Sequence, residues 1–118
     1  MSNPLDDPAI EVTPQRAQEL HTTGEALIVD VREPYEWDEG RIDGARHIPL
    51  ELLSAEADSL PTDRPIVFQC RAGVRSLMAA QAFKRAGFDA WSLHGGLEAW
   101  VAAGLPLTPD GGTVADHQ

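Results

Sequence analysis

Cysteine, basic side chains and long apolar runs are all scarce in this chain of 118 residues. A single cysteine, Cys70, excludes an intrachain disulfide and a cysteine-rich zinc site. Nine Lys and Arg stand against 19 Asp and Glu, a formal charge of −10. So acidic a surface repels phosphate backbones and anionic lipid, so neither nucleic acid nor a membrane is an expected partner. No apolar run approaches the ~20 residues that span a bilayer. The opening residues, Met1-Ser2-Asn3-Pro4-Leu5-Asp6-Asp7, lack the basic and apolar regions of a secretory signal. With one cysteine and no such signal, the expectation is a cytoplasmic protein in a reducing compartment.

What is present is ordinary globular composition, 42% hydrophobic and 24% charged, at a length suited to one domain. Strand-like and helix-like segments alternate. The run Ala26-Leu27-Ile28-Val29-Asp30-Val31 suits a strand buried on both faces. Residues 10–12, 65–69 and 90–93 read as further strands, and 46–49 as a short extended piece. Thr13-Pro14 is a helix start, with Thr as N-cap and Pro in the first turn. Helices are predicted over 34–39, 50–60, 76–86 and 97–103, several of them stopped by glycine. The expected fold class is α/β, with a mainly parallel sheet of about five strands and helices on both faces. Residues 1–9 read as a flexible lead-in, 10–108 as the domain, and 109–118 as a flexible polar tail.

The charge is unevenly distributed. Residues 1–64 carry net −10, residues 65–108 net +2, and the tail net −2. The positive segment holds Cys70, at the end of a predicted strand and before a predicted helix. Ligands bind at such strand ends in open α/β sheets. The connection Cys70-Arg71-Ala72-Gly73-Val74-Arg75 can curl so that its backbone N–H groups face inward. The helix start adds free amides and the positive end of a dipole. Gly73 permits the backbone conformation such a curl needs. A cradle of this kind favours a thiolate over a buried, inert thiol. Arg71 and Arg75 either add charge at its rim for an anionic substrate or pair with surface acids.

Two blocks of residues resemble the rhodanese family of sulfurtransferases. The first runs Ile28-Val29-Asp30-Val31-Arg32-Glu33-Pro34-Tyr35-Glu36-Trp37, then Gly40-Arg41-Ile42-Asp43-Gly44-Ala45 and His47-Ile48-Pro49. The second runs Cys70-Arg71-Ala72-Gly73-Val74-Arg75-Ser76, then Gly87-Phe88, Gly95-Gly96, Ala99-Trp100 and Gly104-Leu105-Pro106. The resemblance covers roughly residues 10–107. It implies that Cys70 accepts a sulfane sulfur from a small anionic donor such as thiosulfate, holds it as a persulfide, and yields it to a thiol, cyanide or a partner protein. It further implies that the amides of residues 71–75 line the site, and it implies no metal or organic cofactor. Related cysteine phosphatases place five residues between Cys and Arg; here Arg75 follows after four, which makes a smaller cradle. Arg41 stands where the family often has His, and Gln69 where an aromatic is common. A non-enzymatic sulfur carrier or protein-binding module is the alternative from another class.

Asp30, Arg32 and Glu33 read as a strand-end ion pair and turn cap, because buried charges need partners. His47 and His94 are candidate proton carriers, with a loop or packing role expected for His94. His21 and His117 read as solvated, and Trp37, Trp91 and Trp100 as packing residues.

Overall fold

The computed structural model of the chain describes residues 10–115. The expected lead-in, residues 1–9, and the last three residues of the expected tail lie outside the described residues. Leu27–Asp30 (β2), Ile66–Gln69 (β4) and Ala90–Leu93 (β5) form the centre of a five-stranded sheet. The two-residue strands Glu11–Val12 (β1) and Arg46–His47 (β3) form its edges. The order is β1-β5-β4-β2-β3 and every pair is parallel. Register places Val29 beside Phe68, and Phe68 beside Ser92.

Helices cover both faces, as expected. They are Pro14–Thr22 (α1), Pro34–Glu39 (α2), Leu53–Glu56 (α3), Val74–Arg85 (α4) and Gly96–Ala102 (α5). α1 starts where its cap predicts, with the Thr13 hydroxyl accepting from the Arg16 amide at 3.2 Å. On one face Leu53, Ala79, Ala80 and Phe83 of α3 and α4 pack on Val29, Ile66 and Phe68. On the other, Ala17, Leu97 and Trp100 of α1 and α5 pack on Ile28, Val67 and Leu93. Burial on two sides is why β2 and β4 read as unbroken apolar runs. Among the described residues no helix is long and apolar enough to cross a membrane.

Three segments differ from expectation. The helix predicted over 50–60 is instead α3 flanked by 3-10 turns at Leu50–Leu52 and Ala57–Ser59. Its core-facing residues Leu50, Leu53, Ala57 and Leu60 are three apart at each end, the spacing of 3-10 turns. α4 begins at Val74, two residues early, because Gly73 turns the chain into the helix at φ 102°. Residues 109–115, expected as a flexible tail, are docked. Thr108 and Arg41 exchange two backbone hydrogen bonds of 3.0 and 2.7 Å, and the Thr113 amide donates to Glu39 at 2.9 Å. Val114 packs against the α1–α5 layer and Ala115 is buried; these two apolar residues, inconspicuous among polar neighbours, hold the segment down.

From β2 the chain proceeds to β3 on one side, and from β4 to β5 on the other. The connections therefore diverge between the carboxyl ends of β2 and β4, the place where ligands bind in open α/β sheets. Cys70 follows β4 at that point.

Candidate active site

Cys70 lies in the connection between β4 and α4 and is 1% exposed. The backbone amides of Gly73 and Ser76 donate to its Sγ at 3.2 and 3.4 Å. The Ser76 hydroxyl lies 3.5 Å from the sulfur. Two backbone N–H donors and one hydroxyl thus converge on the sulfur.

The start of the loop is anchored to α5 through its carbonyls. Cys70 O accepts from the Leu97 amide at 2.8 Å, and Arg71 O from the Glu98 amide at 3.0 Å. The first turn of α5 thus supplies its otherwise unpaired N–H groups to the cysteine loop. So close an approach needs glycine. Gly96 has φ +63°, and a Cβ there would stand 2.6 Å from both Cys70 O and Arg71 O. Gly73, with φ +102°, faces the Gly95 amide across the same contact.

Both arginines of the loop are paired. Arg75 grips the buried Glu36 of α2 through two hydrogen bonds of 2.8 and 3.0 Å. Burial pushes the Glu36 carboxyl up, but the Arg75 hydrogen bonds, the Glu33 amide, and the charges of Arg75 and Arg32 outweigh it and hold it below its ordinary value. Arg75 is correspondingly raised, first by its hydrogen bonds to Glu36 and against its own partial burial. Arg71 meets Glu98 at 3.3 Å, and its Nε is buried with no hydrogen-bond partner among the described residues. Of the two readings of these arginines, free rim charge or ion pairs, the geometry favours the second.

Behind Glu36 stands a second buried pair. Arg32 and Asp30 meet at 2.7 Å with both side chains fully buried. Arg32 also donates to the carbonyls of Glu36 and Gly40 at 3.3 and 2.8 Å. The structural role expected of Asp30 and Arg32 is what these contacts describe. They fix the turn that presents Glu36 to the loop.

Of the residues singled out in sequence, the structure brings the Gly73 amide onto Cys70 Sγ, while the Arg71 carbonyl is bound by α5 and the Arg75 side chain by Glu36. Ala72 is exposed, and the Val74 side chain is 69% exposed. Ser76, Ser92, Glu36 and Gly96 are the site residues that sequence reasoning missed. Ser76 and Gly96 stood inside recognised motifs but read only as a helix start and a turn. His94 is exposed and pairs with Glu11 at 3.1 Å. His47 is hydrogen-bonded to the Arg32 carbonyl at 2.8 Å and stacks on Trp37 with ring centroids 4.7 Å apart. His21, expected to be solvated, bonds the Asp43 carbonyl at 2.7 Å; the reach arises across the fold and leaves no local signal. His117 lies outside the described residues. Arg41 lies over the Trp37 ring at 5.1 Å and donates to the Trp37 carbonyl at 3.1 Å. Gln69 is fully buried, and neither atom of its amide meets a partner among the described residues.

A parallel α/β sheet carrying a lone cysteine in an amide cradle at its switch point defines a class of protein, and the comparisons agree with it. The chain belongs to the rhodanese-like family, whose domain model matches residues 13–103. It is 32% identical to the thiosulfate sulfurtransferase GlpE of Glaesserella parasuis, over 87% of this chain and 96% of that protein. It is 44% identical to the probable adenylyltransferase/sulfurtransferase MoeZ of Mycobacterium tuberculosis, over 76% of this chain; there it spans about a quarter of the relative's length, 24%. A crystal structure of a rhodanese-related protein from Thermoplasma volcanium superposes with a TM-score of 0.77 at 26% identity, covering 83% of this chain and 96% of that one. The expected fold and the expected sulfurtransferase class of enzyme are met at the level of the family.

Proposed function

We propose that the protein moves a sulfane sulfur from a small anionic donor, thiosulfate or a polysulfide, to a thiophilic acceptor through a persulfide on Cys70. The observation that supports this most is the pair of backbone amides, from Gly73 and Ser76, aimed at Sγ at 3.2 and 3.4 Å. In the first half-reaction the thiolate attacks the outer sulfur of thiosulfate. The Sγ–S bond forms, the S–S bond of thiosulfate breaks, and sulfite leaves with the electron pair. In the second, a thiolate or cyanide attacks the outer sulfur of the persulfide, and Sγ departs as thiolate. Charge appears on Sγ at the end of the cycle, where the amides already point, so the backbone of the loop need not move. With no second cysteine in the chain, the sulfur leaves to an outside acceptor: a thiol, cyanide or a partner protein. The reduced thiols of the cytoplasm suit that step.

Phosphoryl transfer fits less well. The related cysteine phosphatases place five residues between Cys and Arg, whereas four separate Cys70 from Arg75 and Ser76 holds the next position, so the cradle is too small for a tetrahedral phosphate.

Incubation with thiosulfate followed by intact-mass measurement tests the reading. The expected product is one sulfur heavier, is absent in Cys70→Ser, and releases thiocyanate on addition of cyanide. An adduct that forms but never turns over would leave a sulfur carrier rather than an enzyme. No adduct with thiosulfate or any polysulfide would sink the proposal.

A further inference from the structure

Behind Cys70 lies a buried hydroxyl that the reaction as written does not use. Ser92 sits on the face of β5 that packs against α4, on the same side as Ala90. An apolar residue is the ordinary occupant of such a place, since a buried hydroxyl must find a partner. Its partner is the Ser76 hydroxyl, Oγ to Oγ 2.8 Å. Neither serine has any solvent exposure. Ser76 Oγ in turn touches two further groups, the carbonyl of Gly73 at 3.2 Å and Sγ of Cys70 at 3.5 Å.

These four groups have two self-consistent hydrogen-bond patterns. With Cys70 as a thiol, S–H donates to Ser76 Oγ, the Ser92 hydroxyl donates to the other lone pair of Ser76, and Ser76 donates to the Gly73 carbonyl. With Cys70 as a thiolate, the sulfur has no proton to give. One rotation about the Ser76 Cβ–Oγ bond then carries the Ser76 proton from the Gly73 carbonyl to Sγ. Ser92 still donates to Ser76 and polarises it, which makes it a stronger donor to the anion. No proton crosses between residues; a single rotor changes its acceptor.

We propose that Ser76 and Ser92 form a two-hydroxyl switch that follows the charge on the Cys70 sulfur, with Ser76 contacting the reacting atom and Ser92 acting through it as a positioning residue. This deepens the persulfide reading and rests on it for its role in turnover. The switch engages when the persulfide is discharged and Sγ becomes an anion, and disengages when Sγ attacks a donor. The charged groups around the sulfur are otherwise in pairs: Arg75 with Glu36 of α2, Arg71 with Glu98 of α5, and Arg32 with Asp30 at the end of β2. On this side of the sheet β4 contributes the apolar Phe68 and β5 only Ser92, while Gln69 points to the opposite face; His94, beyond Ser92, is paired to Glu11.

The test is a titration of the thiolate by its ultraviolet absorbance. One cysteine makes the signal unambiguous, and Cys70→Ser supplies the blank. Ser76→Ala is expected to raise the midpoint by about one to two pH units, in keeping with the loss of one hydrogen bond to a charged group. Ser92→Ala should raise it by less, and should add nothing in the Ser76→Ala background, because its effect passes through Ser76. Ser92→Thr, which keeps the hydroxyl, should restore the wild-type midpoint. In stopped-flow measurements Ser92→Ala should slow cyanide discharge of the persulfide several-fold and, above the midpoint, speed thiosulfate loading, because the thiolate is less stabilised. A Ser92→Ala variant with the wild-type midpoint and discharge rate would overturn the switch. So would a shift of equal size in both backgrounds, since that marks a structural effect independent of Ser76. The titration needs no sulfur donor, so it stands or falls separately from the persulfide reading.

Discussion

Glu36 shows how one residue can be decisive and still go unread in sequence. It looks like a helix acid in an acidic stretch, and nothing local marks it as the fully buried partner of an arginine 39 residues away. The helix start at Pro34 was legible; the destination of Glu36 was not, because it depends on which strand lies beside β2. Gln69 is similar: its departure from an aromatic was visible, but not that its amide would be buried without a partner among the described residues. The Glu36–Arg75 pair gives a signed pH prediction. Because the folded carboxyl lies below its ordinary 4.5, the pair contributes stability above about pH 4.5, and that stability is lost as pH falls through the lower folded value. Glu36→Gln removes a buried partner, a change that typically costs ~3–5 kcal/mol, and about 2 kcal/mol here because Arg75 can turn to water. Urea denaturation across pH should therefore show the wild type ahead of Glu36→Gln at neutral pH and the gap closing below pH 4.5. A gap independent of pH would mean that the charge of Glu36 is not what stabilises the fold.

At the level of elements, the central strands were the most legible part. β2 and β4 announce themselves as apolar runs because both faces are covered, and α1 because a Thr-Pro cap stands at its start. The order of the strands is not carried by any local pattern, and with it goes the contact between α5 and the cysteine loop. Gly95-Gly96 reads as a turn; only the packed sheet shows that the turn brings two α5 amides onto the carbonyls of Cys70 and Arg71. This contact orients the loop, so it carries a prediction of its own. In Gly96→Ala the new methyl would stand 2.6 Å from two backbone oxygens, neither of which can swing aside, and φ +63° is itself unfavourable for alanine. The loop must shift, and a ~1 Å misplacement of reacting groups can cost about 100-fold in rate. The expected result is sulfur loading slowed by about that factor, with far-ultraviolet circular dichroism unchanged. Loading at the wild-type rate would show that the α5 contact does not set the geometry of the cradle.

For the molecule as a whole, the charge distribution takes on a different meaning once the side chains are placed. In sequence, net +2 around Cys70 suggested a positive rim that draws in an anion. In the fold, Arg71 and Arg75 each lie against a carboxylate, which leaves the site mouth close to neutral on a chain of net charge −10. A dianion such as thiosulfate therefore approaches against the field of the whole protein, and short-range capture falls to the loop amides. Added salt shortens the reach of that field, from a Debye length of ~30 Å at 0.01 M to ~8 Å at 0.15 M. The second-order rate of Cys70 loading by thiosulfate should accordingly rise a few-fold over that range, the reverse of an enzyme that steers its anion electrostatically. A neutral alkyl thiosulfonate offers the control: its loading rate should not change with salt. If thiosulfate loading instead slows as salt is added, the arginines attract the donor despite their partners, and the positive rim first read from the sequence is restored.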